Sequence, residues 1–177
     1  MTLRILGVDP GSRHTGFGVV ERHGSRLRAV THGRISPPAK LPLAARLAAL
    51  SAGIREVVAA HRPDVAVLET PFHGLNPKTL IVLAQARGAL LAAIAESGLG
   101  TEEYAPAEIK SAVTGNGRAD KEQVARMVEL VLGLDRRAAS SDASDALAVA
   151  ICYAQRARLD HLGGRSRRPA NPSPRRR

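Results

Sequence analysis

Residues 3–8, LRILGV, form a short and mostly apolar run that ends on Asp9 and a Pro10-Gly11-Ser12 turn; a second such run occupies residues 15–21. Apolar runs parted by a Gly-containing break predict strands joined as a hairpin. His23-Gly24-Ser25 leads into a third run over residues 26–35, closed by Pro37-Pro38, so the first three strands predict an antiparallel meander. Leu43, Leu47, Leu50, Ile54, Val57 and Val58 then recur at three and four, the spacing of an amphipathic helix over residues 42–61 that Pro63 stops. Residues 65–68, VAVL, are continuously apolar and end on Glu69. A strand reached through a helix usually lies parallel to an earlier one, and strands buried on both faces read as unbroken apolar runs. If residues 3–8 and 65–68 are parallel neighbours, Asp9 and Glu69 emerge at one carboxyl edge, where open α/β sheets place their ligands.

A loop over residues 70–76 precedes a second long helix, residues 77–97, with Pro77 at its first position. Its LAQARGALLAAIA segment is apolar around much of its circumference and contains Gly88, so this helix is either sandwiched in the domain or shared with a second subunit. Gly98 and Gly100 end it. A fifth strand follows at residues 101–104, then a short helix at 106–113 and a Gly-containing loop at 114–118. Asp120 with Gln123 three residues on predicts a capped helix to about residue 132. The last helix starts at Ser141, taken as its cap, and runs to about residue 159. These elements predict one domain over residues 1–162.

Composition sharpens this in three ways. The net charge is +10, but residues 163–177 hold six arginines and no acid, which leaves +4 on the remainder. A mildly basic domain with a strongly basic, Pro- and Ser-rich tail favours a polyanionic partner, and the tail is expected to be disordered. The single cysteine, Cys152, excludes an intrachain disulfide and reads as a buried small hydrophobe. The first residues show no apolar h-region, so no secretory leader is expected, no apolar stretch is expected to approach the ~18–20 residues of a membrane span, and a cytoplasmic protein is expected.

Candidate chemistry rests on acids. Asp is a poor strand residue, so Asp9 serves either the turn or a metal or phosphate site. Asp142 and Asp145, three apart on one helix face, either complement the helix dipole or join such a site. Gly16 and Gly18 share one face of the second strand and clear space either for a phosphate backbone or for a packed helix. His14 lies in the turn after Asp9, between Arg13 and Thr15.

ILGVDPGSRHTGFGVV, VAVLET and SDASDALAVA resemble the three acidic motifs of the RuvC family of Holliday junction resolvases, and QARGALL and GNGRADKEQV are similar to that family too. The likeness covers nearly all of residues 3–160. It implies an α/β, RNase H-like fold: a mixed five-stranded sheet with helices on both faces. It further implies Asp9, Glu69, Asp142 and Asp145 as catalytic, metal-binding carboxylates. Clustered carboxylates repel by about 4 kcal/mol per pair at ~4 Å and a dielectric of 20, and so favour cations or protonation. Oxygen ligands select Mg²⁺ or Mn²⁺, and two such ions per site suit in-line phosphodiester hydrolysis. Phe72 is the candidate wedge at the crossover. Lys110 and Lys121 match family lysines, and Lys121 opposes the dipole of its own helix, which favours a phosphate-binding role. Arg13, Asn76 and Lys78, with His73, complete the candidate DNA contacts. The implied partners are four-way junction DNA, a second copy of the chain, and the RuvA and RuvB branch-migration proteins.

Three rival readings stand beside this one. The first motif also looks like the phosphate loop of the actin and sugar-kinase superfamily, but such enzymes need two lobes and more chain than 177 residues. A related compact nuclease family acting on RNA shares the first motif. A basic nucleic-acid-binding module would use the same acids only as caps.

Overall fold

The structure, a computed structural model, describes residues 2–70, 76–134, 138 and 140–162. The elements follow as β1 (Thr2–Asp9), β2 (Thr15–His23), β3 (Arg26–Ile35), α1 (Leu43–His61), β4 (Val65–Glu69), α2 (Pro77–Glu96), β5 (Thr101–Tyr104), α3 (Pro106–Thr114), α4 (Lys121–Leu132) and α5 (Ser141–Leu162). The five strands form one sheet in the order β3-β2-β1-β4-β5. β1 and β2 are antiparallel with Asp9 opposite Gly16, β2 and β3 are antiparallel, and β1 runs parallel to β4 with Val8 opposite Leu68. β4 in turn runs parallel to β5, with Glu69 opposite Tyr104.

Both faces of the sheet are covered, which is why β1 and β4 read as apolar runs instead of alternating. Leu6, Val8, Ala66 and Leu68 pack against Leu50 and Ile54 of α1 and Leu90 and Ile94 of α2. Ile5, Val65 and Val67 pack on the other face against Ile109, Val128, Leu147 and Ile151 of α3, α4 and α5. Cys152 is buried in this second layer, and burial pushes its thiol up to about 11.

Side chains alternate along a strand, so Asp9 shares its face with Ile5 and Gly7, and Glu69 shares its face with Val65 and Val67. Both acids therefore project toward the α5 layer. A bed of glycines lets α5 down onto the strands. A Cβ on Gly7 would collide with the Ala146 carbonyl oxygen, one on Gly16 with the Asp142 carbonyl oxygen, and one on Gly18 with Leu147. The packed-helix reading of Gly16 and Gly18 thus holds.

Two expectations need correction. The cap of α5 is Ser140, not Ser141: the Ala143 amide donates to Ser140 Oγ at 3.1 Å. And α2 is long and apolar enough to cross a membrane, with a mean hydropathy of 1.5 and 28% of that window buried. Short residues hid it: alanines and Gly88 make the helix apolar without a run of large side chains. Its inner face, Ala86, Leu90, Ala93 and Ile94, is buried in the fold.

Candidate active site

Asp9 and Glu69 stand side by side because their strands are parallel neighbours in register. α5 adds two more acids: its first turn, lowered onto Gly16, carries Asp142, and Asp145 follows on the same face. Asp9, Glu69 and Asp145 line a cavity of about 200 Å³ together with Lys110 and Lys121, backed by Ile109, Val124 and Ala148. Asp142 faces a second cavity of about 640 Å³, lined by Gly11, Arg13, His14, Arg46 and Lys78.

The charges in this arrangement are strongly coupled. Burial, then the charges of Asp145, Glu69 and Asp142, push Asp9 up to about 7, and Lys121 acts in the opposite sense. Glu69 is raised as well, by burial and then by Asp145, while Lys121 and Lys110 pull it down. Lys121 Nζ donates to Asp145 Oδ2 at 3.2 Å. Asp145 in turn raises the lysine, first through its charge and then through this bond. Arg34 Nη1 lies 3.7 Å from Asp142 Oδ2. Among the described residues no three His, Cys, Asp or Glu side chains are already close enough to chelate an ion.

The remaining expected residues sort by position. Lys110 on α3 and Lys121 at the start of α4 reach the acidic cavity, whereas Arg13 and Lys78 line the neighbouring basic one. Asn76 Oδ1 accepts the Thr79 amide at 2.9 Å, so this side chain caps α2. His14 is exposed in its turn, with Nδ1 3.0 Å from Ser36 Oγ. Phe72 and His73 lie outside the described residues, as do residues 163–177 of the tail. The sequence reading missed three arginines, Arg34, Arg46 and Arg87, and the buried Thr15, whose Oγ1 donates to the Gly11 carbonyl at 3.1 Å and closes the turn after Asp9. A hydroxyl following a Gly-containing turn signalled the last; nothing local distinguished the arginines from solvated ones.

Comparison with known proteins is consistent with this geometry. The family model described as crossover junction endodeoxyribonuclease RuvC matches residues 5–153. The RuvC protein of Bordetella parapertussis is 50% identical over 165 residues, 91% of this chain and 90% of that one. That of Azorhizobium caulinodans is 46% identical over 152 residues, 86% of this chain and 89% of the other. Among solved structures, Thermus thermophilus RuvC in complex with a Holliday junction substrate superposes with a TM-score of 0.84 at 33% identity, covering 89% of this chain and 96% of that one. The yeast mitochondrial Holliday junction resolvase Ydc2 shares the fold, with a TM-score of 0.67 at 15% identity. With its sheet order, the three acids Asp9, Glu69 and Asp145 on one cavity, and half-identical relatives over nine tenths of its length, the chain belongs to the RuvC family of crossover junction endodeoxyribonucleases.

Proposed function

We propose that this protein resolves four-way DNA junctions by metal-dependent hydrolysis of phosphodiester bonds, as paired nicks made by a homodimer. The observation that carries the proposal is the gathering of Asp9, Glu69 and Asp145 in one cavity, with Asp142 a turn away and Asp9 pushed up to about 7. An acid forced toward protonation by its neighbours is relieved by a cation, and a set of hard oxygen donors suits Mg²⁺ or Mn²⁺. Asp9, Glu69, Asp142 and Asp145 would hold two such ions. When bound, these would supply Lewis acidity to the phosphate and make a bound water more acidic than bulk water.

The other residues bind and orient. Lys110 and Lys121 offset the negative charge of the pocket and present ammonium groups to an incoming phosphate. Arg13 and Lys78 grip the backbone beside it, and the arginine tail adds sequence-independent attraction. Phe72, three residues after Glu69, props the crossover open by stacking on an unpaired base. Asn76 serves this surface indirectly, by fixing the start of α2. The second copy meets the outer face of α2, where Ile81 is 59% and Leu80 41% exposed. Gly88 on that face has no neighbour within 4 Å of where a Cβ would be. The protein works in the cytoplasm, with RuvA and RuvB delivering the junction.

The test is cleavage of a four-way junction and of plain duplex with Mg²⁺ or Mn²⁺. Wild-type protein cuts the junction only, and Asp145→Asn binds it with little change in affinity but does not cut. Equal loss of binding and cutting in a folded variant would assign Asp145 a structural role and overturn the site.

A further inference from the structure

Arg87 is the one charged residue on the buried face of α2, and it is only 8% exposed. Its Nη1 donates to the Glu69 carbonyl oxygen at 2.6 Å, and its Nη2 lies 2.6 Å from Glu103 Oε1. The same end of β4 is tied to β5, where the Thr70 amide donates to the Tyr104 carbonyl at 2.9 Å. The Thr70 N–H and the Glu69 carbonyl belong to one planar peptide, so β5 holds one edge of that plane and Arg87 holds the other. Arg87 arrives from the α2 face, opposite to the face on which the Glu69 side chain projects. It therefore acts on the main chain of Glu69 and not on the carboxylate.

Stability does not account for an arginine here. Its neighbours on the helix, Ala86, Leu90, Ala93 and Ile94, are apolar. Taking a guanidinium out of water among these side chains is costly, and Glu103, 43% exposed, does not need it for solvation. What a guanidinium supplies is a planar group that hydrogen-bonds the Glu69 carbonyl through Nη1 while Nη2 meets the Glu103 carboxylate as an ion pair.

We propose that Arg87 is a positioning residue: by holding the Glu69 carbonyl and Glu103 together, it sets the direction in which the Glu69 carboxylate enters the acidic pocket. The inference rests on the reading of Glu69 as a metal-binding carboxylate. Groups that orient a metal ligand typically change metal affinity or activity by about 10–100-fold when removed.

Arg87→Met and Arg87→Lys separate this role from a structural one. The readouts are thermal unfolding, Mn²⁺ binding followed by electron paramagnetic resonance without DNA, junction affinity, and single-turnover cleavage. Arg87→Met is expected to fold with an unfolding temperature a few degrees lower, for the lost hydrogen bond to the Glu69 carbonyl, and to bind junction normally, yet bind Mn²⁺ at least ~10-fold more weakly and cut ~10–100-fold more slowly. Arg87→Lys keeps the charge beside Glu103 but not the planar group, so it recovers only part of either loss. Wild-type Mn²⁺ affinity and rate in either folded variant would overturn the proposal. If Arg87→Met does not fold, the lysine variant decides alone. Glu69→Gln is run alongside. If it still binds Mn²⁺ and cuts as wild type, the reading of Glu69 fails and takes the inference with it. If it loses both while the Arg87 variants lose neither, the inference alone fails.

Discussion

Lys121 Nζ reaches Asp145 Oδ2 at 3.2 Å, although the lysine occupies the first turn of its own helix, where a cation opposes the dipole. A lysine there gains its favourable field from outside the helix. Asp145 is its largest electrostatic partner, with Asp9 and Glu69 adding to it. The relation is reciprocal, because Lys121 holds Asp9 and Glu69 down against the charges that raise them.

Lys121→Met therefore raises both acids further. Since the proposed cation site needs these acids ionised, the rise of cleavage with pH is expected to move to higher pH. The loss of rate should be at least about tenfold at pH 7 and smaller at pH 9. Single-turnover cleavage between pH 6 and 9 checks this. An equal loss at every pH would mean that the lysine acts only by contacting DNA.

Asp9 gives a stability prediction of unusual sign. Its folded value of about 7 lies above the ordinary 3.8. Between those two values the folded protein keeps a proton that the unfolded chain has released. The stability of metal-free protein therefore falls as pH rises from about 4 through 7, and the loss is complete above 7. Asp9→Asn removes that loss. In a chelator-containing buffer its melting temperature should match wild type near pH 4 and exceed it at pH 8. The rise from 3.8 to about 7 is worth a few kcal/mol, and each kcal/mol moves the melting temperature of a chain of this size by roughly 2–4 °C. The same variant should not cleave. A lower melting temperature than wild type at pH 8 would show that the Asp9 charge is not destabilising.

Much of this site was legible without coordinates, for a physical reason. The two strand-borne acids end apolar runs, and a parallel pairing of those runs leaves only one edge for both. Asp142 and Asp145 announce themselves by helical spacing. What could not be read were pairings between cations and distant acceptors. Arg34, Arg46 and Arg87 resemble other arginines in the chain, and only the packing of α1, α2 and β3 around the pocket decides which of them turn inward. The glycines lay between the two cases. Their spacing exposed a shared face, but only the approach of α5 showed that backbone, not DNA, fills it.

That approach yields a paired prediction. Gly16→Ala places a methyl against the Asp142 carbonyl, a backbone atom that cannot step aside without moving the first turn of α5. The expected loss is about 1–3 kcal/mol in chemical unfolding, with cleavage falling further than stability because Asp142 is displaced. Gly88→Ala meets nothing within 4 Å in the protomer and sits mid-helix. It should stabilise an isolated protomer by about 1 kcal/mol through helix propensity. Equal effects of the two substitutions would contradict the packing of α5 described here.

The outer face of α2 carries the last prediction. Ile81 and Gly88 are seven residues apart and so lie on one side of the helix, opposite the buried Leu90. Ile81 is 59% exposed, a large apolar surface for a side chain in contact with water alone. Small residues such as Gly88 allow two helices to approach closely, and a two-fold interface presents each position twice. In the proposed dimer, Ile81→Glu consequently brings two like charges into the contact. Sedimentation at micromolar concentration should show protomers in place of dimers, with a melting temperature close to wild type because the residue is exposed within each copy. Each protomer keeps its own set of acids, so single nicks in a four-way junction should persist at a reduced rate, while the fraction of junctions cut in both strands before release falls by about tenfold or more. A variant that stays dimeric and still cuts both strands together would move the interface off this face of α2.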